Sequence, residues 1–86
     1  MGNDGLNHTI RNFIIRSFVP EEKPDHLTDD LDLIKSGILD SLALVQTASF
    51  LEELAGTEIE SHELTPANIG SIGAMTAFVR RRRAES

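Results

Sequence analysis

Gly37-Ile38-Leu39-Asp40-Ser41-Leu42 stands at the junction between a long polar loop and an apolar periodic run. Asp and Ser are residue types that cap helix N-termini, and the residues that follow have helical spacing. A helix is therefore expected from Ser41 to about Ala55, with Asp40 as its N-cap and Gly56 closing it in a left-handed conformation. A serine in a first helical turn is also well placed to carry a phosphate. The unpaired N–H groups and the helix dipole there favour negative charge.

This helix sets the reading of its neighbours. Leu44, Thr47, Ala48, Leu51, Leu54 and Ala55 share one face, and Leu42, Val45, Ser49 and Glu52 share another. Two faces with apolar content exceed what a small core needs. Either Leu42 and Val45 stay exposed for a partner, or both faces are buried between helices.

Upstream, Leu6, Ile10, Phe13, Ile14 and Ser17/Phe18 form an amphipathic stripe. A first helix is expected from an Asn3 or Asp4 cap to about Phe18, stopped by Pro20. Val19 to Leu39 has no long period, and a bare loop of that length is uncommon in a compact domain. Leu27, Leu31, Leu33, Ile34, Ile38 and Leu39 can anchor it. Asp29 to Gly37 reads as a helical turn with an acidic start and a glycine stop.

Downstream, Thr57 to Glu60 is a linker with Ile59 tucked in. Thr65-Pro66 opens a short helix, with proline at its first position. Ser71 caps a last helix through Ile72, Met75, Thr76 and Val79, with Phe78 beside them. The expected fold is all-α: a small bundle of three main helices and one short one, with a long anchored loop between helices 1 and 2.

Eighty-six residues suit one domain over 1–86, with a marginal core. Cysteine is absent, which excludes disulfides, Cys-based metal sites and a thiol nucleophile, and agrees with a reducing cytoplasm. No signal peptide or membrane anchor is expected. The Met1-Gly2 start lacks the hydroxyl residue that a myristoylation motif requires, since Leu6 stands there.

Net charge is −6, and Pro20 to Glu63 holds twelve carboxylates against two lysines. Such a surface repels nucleic acid and suits basic patches on partner proteins. Arg80 to Arg83 are half of the basic residues and read as a solvated helix end, where cations complement the dipole. His8, His26 and His62 have no metal-ligand spacing, and Asp30-Leu31-Asp32 fails as a calcium loop because Ile34 and Lys35 follow. No nucleophile–base pair can be assembled, so a self-contained enzyme is not expected.

The chain resembles the acyl carrier proteins and their peptidyl-carrier relatives. The likeness runs through Ser36 to Leu42, Leu51-Glu52-Glu53, Thr57-Glu58-Ile59, Glu63 to Ile69 and Ser71-Ile72, which is nearly the whole chain. It implies that Ser41 receives 4′-phosphopantetheine from coenzyme A by a separate transferase, with Asp40 as an element of transferase recognition. It also implies that Leu42 and Val45 meet partner enzymes, and that Glu52 and Glu53 engage their basic residues.

Partners would then be a phosphopantetheinyl transferase, an acyl- or aminoacyl-loading ligase and downstream synthases. The protein would be a non-catalytic, cytoplasmic monomer carrying thioesters, with no nucleic acid or membrane partner. Housekeeping fatty-acid carriers place acidic residues just after the leucine, whereas Ala43, Leu44, Val45 and Gln46 follow here. Peptide-synthetase carriers place glycines where Ile38-Leu39 stand. A free-standing carrier of a specialised polyketide, modified fatty-acid or peptide-type pathway is the expectation. The alternatives are a peptidyl or aminoacyl carrier and a non-carrier acidic helical interaction module.

Overall fold

A computed structural model of the chain describes residues 5–85. Helix α1 spans Leu6–Phe18, α2 Ser41–Ala55, α3 Pro66–Ile69 and α4 Ile72–Glu85, with single 3₁₀ turns at Pro24–His26 and Ser61–Glu63. No strand occurs among the described residues. The all-α expectation holds: three main helices and one short one.

Cap chemistry sets most of the boundaries. The Asp40 carboxylate accepts from Ala43 N at 2.9 Å, and Gly56 ends α2 with φ 74°, a left-handed conformation that costs glycine little. Thr65 Oγ1 accepts from Asn68 N, with Pro66 at the first position of α3. Ser71 Oγ accepts from Ala74 N at 3.1 Å at the head of α4. Helix α1 begins after Gly5, which stands at its N-cap. The proposed caps Asn3 and Asp4 lie outside the described residues.

The core collects one stripe from each helix. Ile10, Ile14, Leu51, Ile69, Ile72, Met75 and Val79 are fully buried, and Leu27, Leu33 and Leu39 reach in from the long loop. On α1 the buried set is Leu6, Ile10, Ile14 and Ile15. Phe13 and Phe18, expected in the stripe, are only half-buried, and Ser17 is exposed. The helix is rotated so that Ile15 goes in and the bulkier rings stay at the edge. On α2 the fully buried line is Ala43, Thr47, Leu51 and Ala55. Small residues there let α2 sit close to its neighbours.

Thr47 is fully buried, and its hydroxyl has no hydrogen-bond partner among the described residues. An unpaired buried polar group costs about 1–3 kcal/mol. Thr47→Val keeps the shape and removes that cost. The variant is expected to unfold at higher urea concentration than the parent, by about 1 kcal/mol in free energy. A lower midpoint would show that the hydroxyl has a partner after all.

The long loop is sewn to the far side of the bundle by its backbone. Gly73 N donates to the Asp29 carbonyl at 2.9 Å, and Leu33 N donates to the Gly70 carbonyl at 2.8 Å. The approach is close: a Cβ on Gly73 would lie 3.1 Å from that Asp29 oxygen. The Asp29 carboxylate pairs with Arg11 and accepts from Asn7 Nδ2, and Arg11 Nε donates to the Leu27 carbonyl at 2.8 Å. One aspartate thus ties the loop to α1 and α4 together.

At the other end of α4, Arg80, Arg81 and Arg83 are exposed, as expected of a solvated helix end, yet arginines there also bond back to the bundle. Arg81 donates to Asn68 Oδ1 (3.1 Å), Arg83 Nε to the Leu54 carbonyl (2.8 Å) and Arg82 to the Glu58 carbonyl (2.9 Å). Arg82 also pairs with the Glu63 carboxylate. The planar guanidinium reaches several acceptors at once, which is why arginine serves here.

Glu63 also accepts from Glu60 N at 2.9 Å, and that bond, with Arg82 second, holds its carboxyl below the ordinary value. A depressed folded value means that the contribution is present above the ordinary value and is lost as pH falls through the folded one. Arg82→Ala is therefore expected to lower the thermal midpoint at pH 7, with the gap to the parent narrowing as the pH falls into the acid range. A gap independent of pH would refute the pairing.

Candidate functional site

The approach to Ser41 is built by a turn. Asp32 Oδ1 accepts from Ile34 N (3.1 Å) and Lys35 N (2.9 Å), and Ser36 N returns to the Asp32 carbonyl. The chain leaves through Gly37 at φ 86°, where a side chain would be strained. Leu39 N then bonds to the Leu33 carbonyl at 3.0 Å, and the Leu39 side chain is buried. The turn expected from Asp29 to Gly37 is present, narrowed to Asp32–Gly37.

With Leu39 pinned inside, Asp40 and Ser41 emerge at the surface. Asp40 is extended and does the capping. Ser41 is the first residue of α2, is exposed, and its hydroxyl has no hydrogen-bond partner among the described residues. The first-turn amides of α2 supply partial positive charge at this point.

Beyond Ser41 the two open alternatives for Leu42 and Val45 resolve. They are 67% and 63% exposed, as the exposed large hydrophobics of the described chain. Gln46 is exposed beside them. The outer face of the first two turns of α2 is therefore apolar and neutral. Glu53 is exposed further along. Glu52 has an internal duty: its Oε2 accepts from Ile59 N at 2.8 Å and holds the linker after α2.

A groove of about 480 Å³ opens beside Ser41, between the end of α1, the turn and α2. Phe18, Val19, Ile38, Leu42 and Ala43 supply its apolar wall, and Ser17, Ser36, Asp40 and Gln46 its polar one. Sequence reading did not find it, because its walls come from three segments that share no period. Among the described residues no group of three or more His, Asp or Glu side chains stands together as a metal site. No described helix is long and apolar enough to cross a membrane.

No family model matches the chain. The chain is 32% identical over 79 residues to the probable acyl carrier protein PigG of a Serratia species. That alignment covers 92% of this chain and 90% of the relative.

Proposed function

The chain belongs to the acyl carrier protein family, and from that premise we propose that Ser41 bears a 4′-phosphopantetheine arm taken from coenzyme A. One observation carries the reading: the Ser41 hydroxyl is exposed at the first position of α2 and is spent on no hydrogen bond among the described residues. Asp40 does the capping, so esterifying Ser41 breaks nothing in the fold. An anionic diester at a helix start is favoured by the first-turn N–H groups.

When attached, the arm supplies the thiol that this cysteine-free chain lacks, and acyl or aminoacyl cargo is held on it as a thioester. The chain's own work is to hold the serine out, to favour the diester and to present a docking surface. Leu42 and Val45 are that surface for a transferase, a loading ligase and downstream synthases. Asp40, exposed beside the serine, supports recognition by the transferase. Glu53, with Glu52 behind it, meets basic patches on those partners. The protein itself catalyses nothing in this reading.

The neutral strip Leu42, Val45 and Gln46 supports a dedicated partner set over that of a central fatty-acid carrier, whose partners read acidic residues there. Incubation with coenzyme A and a broad-specificity phosphopantetheinyl transferase is expected to add one phosphopantetheine mass, located on the peptide that contains Ser41. An unchanged intact mass beside a working control sinks the proposal.

A further inference from the structure

We propose that the acyl group carried at Ser41 lies along an outer trough between α1 and α2 and ends on the stacked rings of Phe13 and Phe50; this rests on the carrier reading above. The trough is made of two adjoining hollows. The first is the groove of about 480 Å³ beside Asp40 and Leu42. The second, of about 310 Å³, is lined by Thr9, Phe13, Arg16, Ser17 and Phe50. Ser17 borders both and is the saddle between them.

The floor is continuous. Phe18, in the first hollow, stands edge-on to Phe13 with centroids 5.8 Å apart, and Phe13 stacks on Phe50 at 4.0 Å and 4°. These are three of the chain's four phenylalanines, and the chain has neither Tyr nor Trp. All three are half-buried, whereas Phe78 is in the core. A domain this poor in aromatic residues gains most by burying them, at roughly 25 cal/mol per Å² of apolar area. Leaving three ring edges in one surface trough is accounted for if an apolar group covers them.

Order and length fit a tethered ligand. Near Ser41 the walls offer the Ser17 hydroxyl and the Gln46 amide, which suit the amide groups of the arm, while the Ser36 hydroxyl is held by the Leu33 carbonyl. The apolar rings come after, where the acyl group would lie. From Ser41 to Phe50 is nine residues of helix, about 14 Å at 1.5 Å per residue. An extended pantetheine arm advances about 15 Å over its thirteen or so bonds, by the reach of an extended chain. The thioester end therefore arrives at the rings. The ligand class is an apolar acyl group of several carbons, held on the surface of the bundle and not within it.

The test compares apo, holo and hexanoyl forms by amide NMR and thermal unfolding, the last form made by transfer from hexanoyl-coenzyme A. Going from holo to hexanoyl is expected to move the signals of Phe13, Ser17 and Phe50, to leave Ile69 and Met75 in place, and to raise the unfolding midpoint. Ser17→Trp fills the saddle from an exposed position, so the fold is kept. In that variant the shifts at Phe13 and Phe50 should vanish while those near Asp40 remain.

Changes confined to residues 36–42, or moved to Ile69 and Met75, overturn the inference, as do ring shifts that persist in Ser17→Trp. Intact mass separates the two levels. Full hexanoyl mass with silent rings refutes the trough alone. No added mass refutes the carrier reading and the trough with it.

Discussion

Ser41→Ala is expected to lose the whole of the phosphopantetheine mass gain while its urea unfolding midpoint stays close to that of the parent. Both halves follow from the same geometry. The Ser41 hydroxyl is exposed and bonded to nothing among the described residues, so deleting it removes no internal contact. Alanine is also the better helix former, which offsets any small loss. The neighbouring cap behaves in the opposite way. Asp40 accepts from Ala43 N at 2.9 Å, so Asp40→Ala should cost about 0.5–2 kcal/mol. Intact mass spectrometry and chemical denaturation of the two variants make a matched pair. Modification that survives Ser41→Ala would move the attachment elsewhere, and a Ser41→Ala loss as large as a core variant's would mean the hydroxyl is structural.

Leu51→Ala is expected to lose about 2–5 kcal/mol. Leu51 is fully buried in the middle of α2, with Ile10, Ile14, Met75 and Val79 in the same core cluster. A domain of this size has roughly 5–15 kcal/mol of stability in all, so the loss takes much of the margin. Phe13→Ala would match it if Phe13 were core, as the stripe of α1 suggests. The ring is half-buried instead, so its removal should cost about 1–2 kcal/mol, from partial burial and one ring stack. Denaturant titrations rank the two directly. Equal losses would place Phe13 inside.

What sequence shows well here is local chemistry. Asp40, Gly56, Thr65, Pro66 and Ser71 each fix a helix end by a bond or backbone conformation within a few residues, and each does so in the structure. The anchors of the long loop were legible for the same reason, since buried leucines in a polar stretch have few other uses. Pairings across 18 to 29 residues were not. Arg11 with Asp29, Arg82 with Glu63 and Arg83 with the Leu54 carbonyl depend on how the helices pack, so a run of arginines looked merely solvated. Burial on α2 shows the same limit. Periodicity put Leu42 and Val45 on a second apolar face, but whether a neighbour covers that face is a matter of tertiary arrangement.

The backbone strap between the loop and α4 has a consequence in time. Amides in irregular segments usually exchange with solvent quickly, because nothing holds their hydrogens. Leu33 N and Leu39 N are bonded to the Gly70 and Leu33 carbonyls, and both side chains are buried. Opening either bond requires pulling a leucine out of the core. Deuterium should therefore enter these two loop positions on the timescale of the central helices, while Lys23 and Asp25 in the same loop exchange within the dead time of the measurement. The segment that delivers Ser41 to the surface would then open only when the domain as a whole does.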